Sequence, residues 1–95
     1  MPKVISRDSR PRLAAKARLR YDRKAQRYML LYPEKGLVLN PTAADIVQLC
    51  TGEHTVGAIV DQLAAKYGHD VTTVEREVMN LLVALTERGL VQEAP

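Results

Sequence analysis

The sequence predicts an α+β domain in which a three-stranded antiparallel sheet precedes a three-helix bundle. Three observations carry this reading. Ala17, Leu19 and Tyr21 alternate with Arg18, Arg20 and Asp22, the period of a half-buried strand. Two apolar runs, at 27–32 and 37–39, are split by Pro33-Glu34-Lys35-Gly36, a hairpin-turn composition. Beyond Asn40, apolar residues recur at helical spacing in three stretches, each preceded by a capping residue.

Taken in order, residues 1–12 hold two prolines, four cations and few apolar groups, and are expected to form a basic, flexible arm ahead of a single domain over residues 13–95. The first strand covers 17–22, and Asp22-Arg23-Lys24-Ala25-Gln26 reads as a turn. The run from Arg27 to Tyr32 is almost continuously apolar, which suits a central strand. Gly36 would supply a positive φ in the following turn, where Glu34 is expected to be solvated, and Leu37-Val38-Leu39 is the third strand.

Asn40-Pro41 starts the first helix: the Asn side chain can accept from free backbone N–H groups, and Pro loses nothing at the first helical position. That helix is expected to reach about Cys50 and stop near Gly52. Thr55 caps the second, with Val56, Ile59, Val60, Leu63 and Ala64 at helical spacing up to Tyr67-Gly68. Asp70 or Thr72 opens the third, which runs to Arg88; Gly89 gives the left-handed stop, and Leu90-Val91 can return as a short strand or packed tail.

Composition narrows the function classes. At 95 residues the chain makes one small domain, with 46% hydrophobic and 26% charged residues, ordinary for a folded soluble chain. Without Trp or Phe, its core must come from Leu, Val, Ile and Ala. No apolar run approaches the roughly 18 residues of a membrane span. The basic start lacks the apolar segment of a secretory signal, which points to a cytoplasmic protein. Cys50 is the sole cysteine and reads as a small buried hydrophobe; His54 and His69 have no ligand spacing to it or to each other. No catalytic residue and no metal site is assigned, and Glu34 and Asp45 lack the partners that acid–base chemistry needs. Residues 1–24 carry nine basic groups against two acidic ones, whereas residues 25–95 carry five against nine. A basic arm ahead of an acidic body can meet nucleic acid or an acidic partner.

At about 100° per residue, the last helix turns Val71, Val74, Val78, Leu81 and Leu85 towards the core, with Leu82 at the border. Met79 and Val83 fall on a flank shared with Glu75 and Thr86. This breadth is explained either by ordinary core under the sheet or by a groove in which Leu82, Met79 and Val83 lie beside the third strand. The third strand is short and leads directly into a helix, so it is expected at an open sheet edge, whose N–H and C=O groups await a partner. Leu37, Val38 and Leu39, with Glu75, Met79, Leu82 and Val83, are thus the candidate site for an extended peptide.

The chain also resembles a known family. Arg10-Pro11-Arg12-Leu13, Leu30-Leu31-Tyr32-Pro33-Glu34, Gly36-Leu37-Val38-Leu39-Asn40 with Thr42-Ala43, Thr55-Val56 with Ile59, and the Val78–Leu85 helix followed by Gly89-Leu90-Val91 look like the PqqD family of pyrroloquinoline quinone (PQQ) biosynthesis. The resemblance covers roughly residues 10–92 and implies a small winged-helix-like domain that recognises ribosomal precursor peptides. It implies a peptide chaperone that binds the precursor peptide PqqA and presents it to the radical-SAM enzyme PqqE, with no cofactor or metal of its own. By position, the peptide would add antiparallel to Leu37-Val38-Leu39 and lie against the last helix. Arg10 and Arg12 are the candidate contacts for the enzyme or the peptide.

The main rival is a winged-helix nucleic-acid binder. It is disfavoured because the last helix exposes Glu75, Arg76, Glu77, Asn80, Glu87 and Arg88, a net of −1, where a recognition helix needs cations and amides. A homodimer formed through the same open edge is the remaining alternative.

Overall fold

Strand pairing follows the alternation in the sequence. The computed structural model describes residues 5–33 and 35–94. The elements are β1 (Pro11–Leu13), β2 (Arg18–Asp22), β3 (Arg27–Tyr32), β4 (Lys35–Leu39), α1 (Pro41–Gln48), α2 (Val56–Tyr67), α3 (Val71–Glu87) and β5 (Val91–Glu93). β2, β3 and β4 form an antiparallel sheet with β3 in the centre, as its apolar run requires. Directly opposed residues share a face. Leu19, Tyr28, Leu30, Leu37 and Leu39 therefore line one side, and Arg18, Arg20, Met29, Leu31 and Val38 the other. The first side packs on α1 and the bundle, where Leu30 is fully buried.

Each helix begins where a side chain replaces a missing carbonyl. Asn40, Thr55 and Asp70 accept from the N–H groups of Ala43, Ala58 and Thr73, with Pro41 opening α1. Gly89, at φ 72°, turns the chain out of α3 and brings Leu90 back into the core. Ile46, Val56, Ile59, Val60, Val78, Leu82 and Leu90 bury essentially their whole side chains around one centre. Each such side chain contributes about 1.5–3 kcal/mol.

Two expectations are corrected. The arm over residues 1–12 is bound to the body wherever it is described. Pro11–Leu13 pairs with Val91–Glu93 as a second, two-stranded sheet. The carbonyls of Arg7 and Ser9 accept from Gly57 and Val56 at 2.9 and 2.8 Å. Those are two of the first N–H groups of α2, which no intrahelical acceptor can reach, so the segment is held by the need to satisfy them. Residues 1–4 of the expected arm and the expected turn role of Glu34 lie outside the described residues. The second correction concerns Gly36, which lies inside β4 and has no positive φ. Its value is space: a Cβ there would stand 2.9 Å from Leu31 Cδ2 and 3.3 Å from Met29 Cε.

Candidate peptide-binding site

β4 is an edge strand of its sheet, as is β2 on the opposite side, and among the described residues no strand pairs with its far side. Tyr32 and Lys35 are opposed across a two-residue loop. Such a loop closes on a hydrogen-bonded pair, so Lys35, Leu37 and Leu39 bond β3 while Gly36 and Val38 direct N–H and C=O outwards. Side chains alternate independently of this. Leu39 is buried and Leu37 half-buried on the bundle side, whereas Val38 is 52% exposed on the opposite face. The three residues expected at the edge are thus together there. Leu37 and Leu39 face inward, and Val38 offers its backbone.

α3 presents two flanks, and they have different neighbours. Glu75, Met79, Leu82 and Thr86 follow one another at helical spacing along one ridge. That ridge faces the N-terminal segment: Glu75 accepts from Arg7, and Thr86 lines a hollow with Ile5, Ser9, Pro11 and Val91. Glu77, Leu81, Ala84 and Arg88 form the other ridge. There Glu77, Asn80 and Leu81 line a cleft with Asn40, Thr42 and Ala43, at the junction of β4 and α1.

Part of the expected groove therefore lies apart from the cleft at the β4–α1 junction. Leu82 has no exposed surface and belongs to the core. Glu75 is engaged by Arg7, and half-buried Met79 shares its ridge. Val83 is 43% exposed and lies beyond both ridges. Leu81, expected in the core, is half-buried in the cleft beside Asn40 and the start of α1, and Val71, also expected there, is 45% exposed at the first helical position, beyond the end of the core. Glu77, Asn80 and Leu81, which line the cleft at the start of α1, were not among the expected site residues. A signal existed, since Leu81 follows Glu77 by four residues on a polar ridge that already exposes Asn80 and Arg88.

The remaining candidates have local partners. Arg10 donates to the Glu53 carbonyl at 3.2 Å, and Arg12, on β1, stands opposite Gln92 and bridges to Thr51. The Cys50 thiol is buried, donates to the Ile46 carbonyl at 3.3 Å, and is pushed up to about 12 by that burial, so it is no thiolate nucleophile. At the α1–α2 contact, Tyr67 donates to Asp45, which also accepts from Lys66 at 3.1 Å. Burial pushes the Asp45 carboxyl up, but the bonds from Tyr67 and Lys66 outweigh it and leave the group below its ordinary value. Burial and the adjacent carboxylate raise the Tyr67 phenol to about 12. This triad clamps the helices together and stands apart from the β4 edge.

The chain matches the family model described as Coenzyme PQQ synthesis protein D (PqqD) over residues 27–91. A PqqA binding protein of Rhodopseudomonas palustris strain BisB5 is 41% identical over 96% of this chain and 89% of its own length. One from Methylococcus capsulatus is 40% identical over 80% of each. Among solved structures, the PqqD part of Methylobacterium extorquens PqqCD, described as a functional, stand-alone recognition element for ribosomally synthesised and modified peptides, superposes with a TM-score of 0.83 at 28% identity, covering 96% of this chain and 97% of that one. A PqqD crystal structure from Xanthomonas campestris gives 0.59 at 34% identity, covering 94% and 99%.

Proposed function

This chain belongs to the PqqD family, and from that premise we propose that it binds the precursor peptide PqqA along the open edge of β4 and presents it to the radical-SAM enzyme PqqE in the cytoplasm, itself catalysing nothing. The observation that carries the reading is the outward-facing backbone of Gly36 and Val38 on an unpaired strand that runs into residues 40–43, where a cleft opens towards Leu81 of α3.

The energetics call for both parts. Ordering an incoming peptide costs about 1–2 kcal/mol per residue. Each main-chain hydrogen bond returns about 0.5–1.5 kcal/mol net. Strand pairing alone is close to neutral, so two or three guest side chains at about 1.5–3 kcal/mol each must tip the balance. Alternate side chains of an antiparallel guest fall on the bundle side, against Leu37, Ala43 and Leu81. The edge sets register, and the flank sets selectivity.

Calorimetric titration of synthetic PqqA into the parent and Val38→Pro tests this. The Val38 N–H points away from β3, so proline there removes a donor to the guest and none to the ladder. Affinity is expected to fall at least about tenfold with the fold intact, the equivalent of about 1.4 kcal/mol. Unchanged affinity contradicts the assignment.

A further inference from the structure

The outer face of the three-stranded sheet is used neither by the core nor by the bundle side of the groove. Met29 and Leu31 are half-buried there and Val38 is exposed, with Gly36 adding no side chain between them. Register places Arg18 opposite Leu31, Arg20 opposite Met29, and Asp22 opposite Arg27 on this same face. Arg20, Arg23 and Lys24 wall a shallow concavity over Met29 and Leu31. Residues 18–31 hold five cations and one carboxylate, Asp22. Asp22 is already taken up by the turn, accepting from the amides of Lys24 and Ala25 at 3.0 and 3.3 Å. Among the described residues, none of the five cations lies in an ion pair. Residues 40–95 carry three cations and eight carboxylates, and the segment 5–17 packed on them adds four cations and one carboxylate, so the bundle side is near balance and the uncompensated positive charge lies on the sheet.

We propose that this outer face docks the protein that receives the bound peptide, through a surface of that protein with an apolar centre ringed by carboxylates. An apolar middle with a charged rim is the anatomy of a protein–protein interface, and Met and Arg are enriched in such patches. Nucleic acid fits less well, because phosphate contacts need the rim and leave the apolar centre without a partner. The uncompensated cations orient an acidic partner towards the sheet, which speeds productive encounter. The geometry rests on the peptide lying along β4. A guest strand there extends the sheet, and its outward side chains adjoin Val38 on the face that the partner covers. Peptide and partner thus read opposite sides of one sheet, and the partner reaches the peptide without displacing it.

The test titrates purified PqqE, with and without PqqA, into the parent protein and into Arg20→Glu/Arg27→Glu, two exposed positions. Dispersed amide resonances check the fold, and Arg18→Gln/Arg20→Gln serves as a milder second variant. The charge reversal is expected to weaken PqqE binding at least tenfold and the neutral variant about threefold, with PqqA affinity unchanged. PqqE binding by the parent is expected to fall between 50 and 300 mM salt. Equal PqqE binding by parent and charge reversal, no PqqE binding by the parent, or a parallel loss of PqqA affinity overturns the proposal. So does duplex DNA bound by the parent as tightly as PqqE. The edge reading fails separately: if Val38→Pro binds PqqA normally while the charge reversal loses PqqE, the docking face stands and the β4 site falls.

Discussion

β1 and β4 are both short strands at the margin of a sheet, and only β1 has both sides filled. β5 pairs with one side of β1; on the other, Leu13 N–H donates to the Cys50 carbonyl at 3.1 Å and the Pro11 carbonyl accepts from Gly52 at 3.0 Å. β4 has β3 on one side and no strand on the other among the described residues. The flanks of α3 repeat the contrast: the Glu75 ridge is covered by the N-terminal segment, and the Leu81 ridge borders a cleft at the start of α1, just after β4. The fold closes the margin nearest its termini and, among the described residues, leaves β2 and β4 as the two unpaired margins of the three-stranded sheet, of which only β4 runs directly into α1. Local pairing removes β1 from the edges that can receive a guest, and the junction with α1 distinguishes β4 from β2.

Adjacent residues of α3 separate the two flanks most sharply. Leu82→Ala empties a fully buried site and is expected to cost about 2–5 kcal/mol of stability, read by chemical denaturation. PqqA affinity of the molecules that remain folded should change little. Leu81→Ala should do the reverse. It removes half-buried groove wall, so affinity should fall about tenfold in calorimetry while stability drops by about 1 kcal/mol. Equal effects of the two variants on affinity would erase the distinction between the flanks.

That distinction was the least legible feature in the sequence. Val74, Val78, Leu82 and Leu85 form the buried stripe. Leu81 and Leu82 sit about 55° and 45° on either side of its centre at ideal helical spacing, so hydropathy does not choose between them. Only the covering segment decides, and it arrives from residues 5–9, some 70 positions away. β1 was hidden for a related reason: three residues beginning with proline have no periodicity, and their partner lies at the far end of the chain. Features with local causes were readable. Asn40, Thr55 and Asp70 do cap the helices, β3 spans Arg27–Tyr32 as expected, and the alternation of β2 assigns its two faces. The place of β4 at the margin was legible too, because a strand that runs directly into a helix leaves little chain with which to cover it.

The smallest expected effect is electrostatic and belongs to the closed part of the molecule. The folded state holds the Tyr67 proton up to about 12, against an ordinary value of 10.0. This contribution is complete below pH 10 and fades as pH rises towards 12, because the unfolded chain releases the proton first. Tyr67→Phe should remove that alkaline decline, at a cost of about 1 kcal/mol near neutrality. At the acid end, the lowered Asp45 carboxyl supports the fold above its ordinary 3.8 and ceases to as pH falls through its folded value. PqqA affinity should follow neither change while the protein stays folded.

Amide hydrogen exchange with and without PqqA tests the open margin most directly. The outward N–H groups of Gly36 and Val38 should exchange readily in the free protein and become protected when peptide is bound, while the amides of Arg12 and Leu13 on β1 keep their protection throughout. Protection that leaves Gly36 and Val38 unchanged and appears instead around Arg7, Glu75 and Met79 would contradict strand addition at β4.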